Sequence, residues 1–302
     1  MRCTKNAFST KFTFMPFRKY LLIICFLSVT VIAQSQKLAP LPFVLKEWET
    51  EYPPFRIVGN LYYVGTYDLA SYLIVTPEGH ILINTGLANS VPNLQKNVES
   101  LGFKFSDIKI LLATHAHFDH VAGMADIKKL TGARMMIHER DAKALADGGN
   151  SDFVFGGKGS TFKPVQADRL LHDKDTITFS NIKILVYNHP GHTQGANSFS
   201  FSITDSNRSY QVLIANMPTM QTQTDLKGMP GYPDIAKDYA YSFTALKRLS
   251  FDIWLSSHAS QFKLHQKRKP GDPYNPYLFT DRKSYDELIE KLEKLYLQRL
   301  GK

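Results

Sequence analysis

Side chains able to bind a metal ion are concentrated in one short segment of the chain. Residues 115–120 read His-Ala-His-Phe-Asp-His and so place three imidazoles and one carboxylate within six positions. Zinc accepts such nitrogen and oxygen ligands at about 2.0–2.2 Å, usually in tetrahedral geometry. One tetrahedral ion could not use all four groups and still bind water, so the segment predicts two metal ions. A purely structural role is disfavoured, because burying several unpaired ionisable groups is costly.

The elements predicted around this segment place its side chains on a turn. Apolar residues predict a buried strand over residues 108–113, and a helix is predicted from just after the segment to about residue 130. His192 and His258 have a similar setting, because predicted strands end shortly before them, at residues 187 and 255. We expect both to complete the metal site. The other histidines outside the segment are interpreted as structural or exposed: His80, His138, His172, His189 and His265.

Strands and helices are predicted in a similar order in both halves of the chain. Strands are predicted over residues 61–64, 71–76, 80–84, 108–113, 134–137, 176–179, 182–187, 199–203, 210–214 and 253–255. Further helices are predicted over residues 90–101, 139–146 and 234–249, and in a C-terminal helix where Ser284 and Glu287 predict a capping box. The pattern predicts an α/β protein, an αββα sandwich of two mixed β-sheets flanked by helices, with the ligand loops along one edge.

A glycine-rich segment lies between residues 147 and 164 and contains Phe153 and Phe155. Glycines at this density are typical of a mobile surface loop. The alternative is a flap whose two aromatic side chains cover a substrate. The sequence leaves both interpretations open.

The first 35 residues have the pattern of a signal peptide. Basic residues are followed by an apolar run over residues 21–33 and by small residues at Ala33 and Ser35. The run is too short for a permanent membrane span, which needs about 20 residues. We therefore expect cleavage after Ser35, export to the periplasm and no stable membrane anchor. Residues 36–302 are expected to form one catalytic domain that acts as a monomer.

Cleavage would change the composition of the chain. The formal net charge is +9, and residues 1–35 contain five basic residues and no acidic one, so the charge would fall to +4. That modest charge gives no case for nucleic-acid binding. Both cysteines, Cys3 and Cys25, would also be removed. The mature chain would then contain no disulfide, no cysteine ligand and no cysteine nucleophile.

Three motifs together resemble those of the metallo-β-lactamase superfamily. They are the His-x-His-x-Asp-His segment at residues 115–120, Pro-Gly-His-Thr at residues 190–193 and Ser-His-Ala at residues 257–259. The segments at residues 53–57, 65–74 and 257–262 also resemble subclass B3 of the metallo-β-lactamases. The absence of a cysteine ligand agrees with that subclass, since the other two place a cysteine on the second zinc. The resemblance covers nearly the whole predicted mature chain.

The resemblance implies an assignment of six ligands to two zinc ions per chain. His115, His117 and His192 would hold the first ion, and Asp119, His120 and His258 would hold the second. It also implies zinc-dependent hydrolysis of the β-lactam amide bond of penicillins, cephalosporins and carbapenems by a hydroxide that bridges the metals, which is a mechanism of antibiotic resistance. Asp119 and the three histidines of the first site would be the catalytic residues. The partner would be a small β-lactam substrate.

The chain departs from the subclass in two places. Many members carry serines after the strand predicted at residues 210–214, where this chain has Met217 and Pro218. Thr193, Asn216 and Thr219 are candidates to bind substrate instead, together with Phe153 and Phe155. Asn84 stands where the superfamily often has an aspartate that supports a ligand histidine. We expect Asn84 either to hydrogen-bond a ligand loop or to serve only as a turn residue.

Other hydrolases of the superfamily share the first motif and remain alternatives. Lactonases and glyoxalase-II-like thioesterases usually have an aspartate after the strand at residues 210–214, where it bridges both metals. Asn216 at this position is a neutral amide, which favours the β-lactamase interpretation. A non-catalytic metal-binding protein is a further alternative, and it is disfavoured because all six ligands are present.

Overall fold

The computed structural model describes residues 1, 2, 4, 6, 7, 9–11 and 37–301. Most of the predicted signal peptide, residues 1–35, lies outside the described residues, as do Cys3 and Cys25. One compact unit of the chain comprises Leu38–Lys302. Among the described helices, none combines the length and apolar character that a membrane span requires.

The described strands form two mixed sheets. The first sheet consists of β1 (Phe55–Val58), β2 (Leu61–Tyr63), β3 (Tyr72–Thr76), β4 (Gly79–Ile83), β5 (Ile108–Leu112), β6 (Arg134–His138) and β7 (Arg169–Leu171), in that order. The second consists of β8 (Thr176–Phe179), β9 (Ile182–Asn188), β10 (Asn197–Asp205), β11 (Arg208–Ala215) and β12 (Ile253–Ser256), in the order β12-β11-β10-β9-β8. Neighbours are antiparallel from β1 to β4 and parallel from β4 to β7. In the second sheet only β11 and β12 are parallel.

Helices cover the outer faces of the sheets. They are α1 (Lys46–Glu49), α2 (Val91–Ser100), α3 (Phe118–Val121), α4 (Met124–Thr131), α5 (Ala142–Ala146), α6 (Ile235–Lys247), α7 (Leu264–Lys267) and α8 (Arg282–Arg299). One apolar core joins the facing sides of the two sheets and extends to α6 and α8. A second core packs the opposite side of the first sheet against α2, α4 and α5. This arrangement confirms the predicted αββα sandwich.

Alternation of buried side chains explains the two faces of the first sheet. Ile110 and Leu112 of β5 enter the core between the sheets, and Leu111 enters the core under the helices. Both faces of β5 are therefore apolar, as expected for a parallel strand covered on two sides. Burial on both faces explains why residues 110–113 form a continuous apolar run.

Two local predictions differ from the structure. The helix after the metal-binding segment is divided into α3 and α4, and Gly123 between them lies so close to Val91 that a Cβ atom would approach its Cγ2 to 2.8 Å. The capping box predicted for Ser284 and Glu287 is wrong. Asp281 is the N-cap of α8, and its Oδ1 accepts a hydrogen bond from Ser284 N at 3.0 Å. Ser and Asp are both good N-cap residues, so the pattern alone could not choose between them.

The ends of three strands meet at one edge of the sandwich. Asn197 N donates to Thr114 O at 2.7 Å, which joins the turn after β5 to β10. Ser257 Oγ, directly after β12, donates to Thr114 Oγ1 at 3.0 Å. The turns that carry the histidines after β5 and β12 are thus tied directly together. This edge holds the candidate site.

Candidate metal centre

Three histidines from both sheets face one another at this edge. His115 and His117 follow β5, and His192 follows β9. His117 Nδ1 lies 3.1 Å from His192 Nε2, and a ligand atom of each residue lies within 4.8 Å of those of the other two. All three side chains are buried. We call these residues the three-histidine triad.

A second group of donors lies beside the first. Asp119 and His120 begin α3, and His258 follows β12. Asp119 Oδ2 lies 3.2 Å from His120 Nε2 and 3.5 Å from His258 Nε2. We call Asp119, His120 and His258 the mixed triad. His115 adjoins both groups, because its ligand atom also lies within 4.8 Å of those of Asp119 and His120.

The spacing of these donors fits tetrahedral metal ions. Two ligands bound at 2.0–2.1 Å to one tetrahedral ion are about 3.3 Å apart, close to the separations within both triads. His115 Nε2 is buried and has no hydrogen-bond partner among the described residues. A buried nitrogen without a partner is costly unless something else occupies its lone pair. The nitrogen and oxygen donor set therefore fits zinc at both triads.

Hydrogen bonds to the remaining ring nitrogens orient the ligands of the three-histidine triad. His192 Nδ1 contacts Thr219 O at 2.8 Å, which leaves Nε2 directed toward His117. His115 Nδ1 contacts Thr114 Oγ1 at 3.3 Å. Asn84 reaches this ligand indirectly, because its Oδ1 accepts from Thr114 N at 3.0 Å. Asn84 also has a positive φ of 59°, so it is both a turn residue and a support for the ligand loop.

Two aspartates that the sequence analysis did not single out contact ligand histidines. Asp152, in the glycine-rich segment, has its Oδ2 3.2 Å from His117 Nε2. Asp68, between β2 and β3, has its Oδ2 2.9 Å from His258 Nδ1. Each contact is made by the ring nitrogen that faces away from the other donors. One carboxylate therefore supports one histidine in each triad.

A third aspartate holds two ligand loops together. The buried carboxylate of Asp141 accepts hydrogen bonds from Ala116 N at 2.9 Å, from Gly195 N at 2.7 Å and from Thr193 Oγ1 at 2.7 Å. Ala116 lies between His115 and His117, and Thr193 follows His192. The burial of Asp141 raises its pKa, although these three donors lower it. This carboxylate fixes the two loops of the three-histidine triad relative to each other.

Burial and neighbouring charges set the protonation of the site. Burial lowers the pKa of His192 to about 3, and burial with neighbouring histidines holds the pKa of His115 well below its usual range. Burial would raise the pKa of Asp119, but His120 and His258 hold it well below its usual range. Burial would lower the pKa of His258, but hydrogen bonds to Asp119 and Asp68 raise it to about 9. At neutral pH the three-histidine triad thus offers neutral imidazoles at His115 and His192, and Asp119 is a carboxylate.

The polar residues predicted to bind substrate make hydrogen bonds or close polar contacts within the protein. The hydroxyl of Thr193 donates to Asp141, and Asn216 Nδ2 lies 3.4 Å from both Thr114 O and His115 Nδ1. Thr219 Oγ1 lies 3.0 Å from His192 Nδ1. These contacts give all three residues a role in positioning the candidate ligands, and their contact with substrate stays a prediction.

The two phenylalanines of the glycine-rich segment lie on different sides of it. Phe155 packs edge-on against His117, with ring centroids 5.2 Å apart, whereas Phe153 packs against Tyr232 at 5.0 Å. Phe155 also belongs to an aromatic wall with three other side chains, Phe43, Trp48 and Phe118. Trp48 lies 5.9 Å from His258, so the wall reaches both triads.

The sequence contained a weak indication for only one of the three aspartates that support the candidate ligands. Asp68 lies within the segment at residues 65–74 that resembles subclass B3, but nothing there indicated a contact with His258. Asp141 and Asp152 follow no fixed spacing from the histidines, so only the fold brings them near. His189, which is interpreted from the sequence as structural or exposed, has its Nδ1 2.7 Å from Ser198 Oγ and lies outside both triads.

Comparison with known proteins identifies the family. The model of the metallo-β-lactamase superfamily matches residues 66–205. A solved β-lactamase from Chitinophaga pinensis is 56% identical, with a TM-score of 0.85, and the match covers 86% of this chain and 98% of the other. The class B3 di-zinc metallo-β-lactamase LRA-12 from an Alaskan soil metagenome is also 56% identical, with a TM-score of 0.85 and coverage of 87% and 100%.

Curated relatives are more distant. A probable metallo-hydrolase from Methanocaldococcus jannaschii is 26% identical over 202 residues, which is 60% of this chain and 95% of that protein. At this identity the shared feature is a hydrolase scaffold. Taken with the two triads and the solved relatives, these similarities confirm the expected family: the chain belongs to the metallo-β-lactamase superfamily and resembles its subclass B3 enzymes.

Proposed function

We propose that this protein hydrolyses the amide bond of β-lactam antibiotics with two zinc ions, one at each triad. The convergence of six nitrogen and oxygen donors at one edge of the sandwich carries the proposal. The solved relatives support the substrate class, because at 56% identity they are a β-lactamase and a di-zinc metallo-β-lactamase. His115, His117 and His192 would hold one ion, and Asp119, His120 and His258 the other.

The residues of the chain prepare the site for this reaction. Zinc, when bound, acts as a Lewis acid and lowers the pKa of water so that hydroxide is available near neutral pH. The six ligands fix the reacting groups at the sandwich edge, which reduces the entropy cost of bringing them together. Asp119, held ionised by its neighbours, offers a carboxylate that can accept a hydrogen bond and orient the attacking water. Hydrolysis adds water across the lactam C–N bond and yields a carboxylate and an amine.

The surroundings of the triads favour a partly apolar substrate. Phe155 and Trp48 lie beside the two triads as parts of the aromatic wall. Phe43, in the same wall, leaves 39% of its surface exposed and is available for contact. Aromatic side chains provide a large apolar contact surface at low entropy cost. We propose that this wall contacts the apolar substituents of the β-lactam.

The turn after β11 argues against the thioesterase and lactonase alternatives. Residues 215–220 contain no carboxylate. The neutral amide of Asn216 is buried against His115 and Thr114. It cannot supply the negative oxygen that a bridging aspartate provides between two metals.

The N-terminal residues support export as part of the proposal. A periplasmic location would place the enzyme on the path of β-lactams from the cell surface to their targets. The proposal predicts that the exported protein begins at Gln36, directly after the expected cleavage site. N-terminal sequencing of the protein recovered from a periplasmic extract tests this, and an unprocessed N-terminus there would contradict it.

A substrate panel tests the proposed activity. The purified protein is assayed with a penicillin, a cephalosporin and a carbapenem, before and after chelation and again after zinc is restored. Zinc-dependent ring opening supports the proposal. Turnover of an acyl-homoserine lactone or a glutathione thioester without any lactam turnover would overturn it in favour of the other hydrolases. Zinc binding without turnover of any substrate would indicate a metal-binding protein.

A further inference from the structure

We propose that Asp68 and Asp152 are positioning residues, each dedicated to one triad: Asp152 orients His117 for the first metal ion, and Asp68 orients His258 for the second. This inference rests on the proposed two-metal site. Neither residue belongs to the six donors. Both side chains are largely buried, with exposed fractions of 6% for Asp152 and 13% for Asp68.

The contacts of Asp152 connect His117 to the glycine-rich segment. Its Oδ2 lies 3.2 Å from His117 Nε2, while its Oδ1 accepts from Val154 N at 2.8 Å and from Phe155 N at 2.6 Å. The backbone therefore holds the carboxylate from the side opposite the histidine. A proton held on His117 Nε2 leaves the lone pair of Nδ1 free for a metal.

The contacts of Asp68 connect His258 to the N-terminal part of the fold. Its Oδ2 lies 2.9 Å from His258 Nδ1 and accepts from Trp48 Nε1 at 3.2 Å. Its Oδ1 accepts from Ser260 N at 2.9 Å, which fixes the loop that carries His258. Here the proton is held on Nδ1, so Nε2 is the free nitrogen, and this is the atom near Asp119.

The remaining histidines lack such a partner, which makes the two carboxylates specific. His192 is oriented by the backbone carbonyl of Thr219, and His115 by the neutral side chains of Thr114 and Asn216. His120 Nδ1 has no hydrogen-bond partner among the described residues, and His120 Nε2 faces only Asp119 of its own triad, at 3.2 Å. Each triad therefore receives one charge-assisted contact, and each comes from a different part of the chain. A carboxylate in this position orients the imidazole and makes it a stronger ligand.

Zinc titration of two variants tests the assignment. Asp68→Asn and Asp152→Asn keep the size of the side chain but remove its charge. Each is prepared without metal, and zinc affinity is measured by competition with a chromophoric chelator. We expect each variant to bind one ion about 10–100-fold more weakly than the wild type and the other ion unchanged. Circular dichroism of the metal-free proteins checks that both are folded.

Combination with ligand variants shows which ion is affected. In a His192→Ala background, which disables the three-histidine triad, Asp68→Asn should weaken the remaining ion and Asp152→Asn should not. In a His258→Ala background the pattern should reverse. Asp126→Asn is a control for Asp152, because Asp126 pairs with Lys163 of the same glycine-rich segment without contacting His117. Asp126→Asn should leave both affinities unchanged.

The outcomes separate this inference from the proposed function. If the wild type binds two zinc ions and both variants keep wild-type affinities, or both weaken the same ion, the inference is overturned while the two-metal site stands. If the wild type itself binds fewer than two ions, the proposed two-metal function is contradicted.

Discussion

The two triads use the same sandwich edge but differ in charge and in what holds them. The three-histidine triad contains only imidazoles, and two of its members are oriented by neutral groups, Thr219 O and Thr114 Oγ1. The mixed triad contains a carboxylate and lies against a second one, Asp68. The pKa values follow the nearest carboxylates: burial lowers the pKa of His192 to about 3, whereas burial is outweighed at the other two, where Asp152 raises the pKa of His117 and two carboxylates raise that of His258 to about 9.

This difference assigns different tasks to the two halves of the site. A metal ion held by neutral imidazoles keeps its full positive charge and is the stronger acid toward bound water. A metal ion beside Asp119 would be partly neutralised, and the ionised carboxylate could orient bound water. Each triad also joins the two sheets, because His192 and His258 come from the second sheet while the other ligands follow β5 of the first.

The most severe test of the comparison removes one ligand from each triad. His192→Ala and His258→Ala should each lower kcat/KM for a carbapenem by several orders of magnitude, and Asp119→Ala should do the same. Any activity that His192→Ala retains should appear only at higher pH, because the ion that would lower the pKa of bound water is lost. Steady-state assays across pH measure this. Retention of wild-type turnover in His192→Ala would show that the ligand assignment is wrong.

Asp141→Asn sharpens the comparison because it acts on one triad only. The substitution places an NH2 group against three donors, Ala116 N, Gly195 N and Thr193 Oγ1, which cannot all be satisfied. We expect the three-histidine triad to bind zinc about 10–100-fold more weakly. The mixed triad should keep its affinity, because its His258 loop has no contact with Asp141. Chelator competition measures both values, and equal weakening of the two ions would contradict the division.

Gly191→Ala probes the loop that precedes His192. Gly191 has a φ of 132°, and a Cβ atom there would lie 2.8 Å from the ring of Tyr239. Strain and overlap of this kind cost about 1–3 kcal/mol. Chemical denaturation of the metal-free protein should show the loss, and zinc affinity should fall only at the three-histidine triad. Unchanged stability would mean that the loop adapts without cost.

Asp281→Ala serves as a perturbation remote from both triads. Asp281 caps α8, and its loss should reduce the free energy of unfolding by about 1 kcal/mol. Burial would raise the pKa of Asp281, but hydrogen bonds to Ser284 and Lys267 lower it to about 2. The stabilisation that ionised Asp281 provides is therefore complete above pH 3.9, which is about the pKa of an aspartate in the unfolded chain. It is lost as the pH falls toward 2. Denaturation curves at pH 7 and pH 3 measure this, and zinc affinity should stay unchanged.

The sequence could predict the candidate ligands because they are placed by local rules. Buried strands end in polar turns, and the apolar runs at residues 108–113 and 253–255 are sufficient to locate two of these turns. The carboxyl ends of β5 and β12 then lie at one edge, where Ser257 Oγ donates to Thr114 Oγ1. The predicted bounds of these two strands differ from the observed ones by only one residue for the same reason.

The supports of the ligands could not be predicted in this way. Asp68 and His258 are separated by 190 residues, and Asp152 and His117 by 35 residues. Such contacts depend on the packing of loops, for which a single sequence has no periodic signal. Thr193 and Asn216 were expected to bind substrate because they are polar and near the ligands. In the structure they hydrogen-bond Asp141 and Thr114, because a buried polar group must find a partner within the scaffold, and their contact with substrate stays a prediction.

Metal content tests the central claim most directly. The purified wild-type protein is dialysed against buffered zinc, and bound metal is counted per chain by elemental analysis beside the His192→Ala and His258→Ala variants. The account predicts two zinc ions in the wild type and one in each variant. A wild-type protein that binds no zinc, or variants that retain both ions, would contradict it.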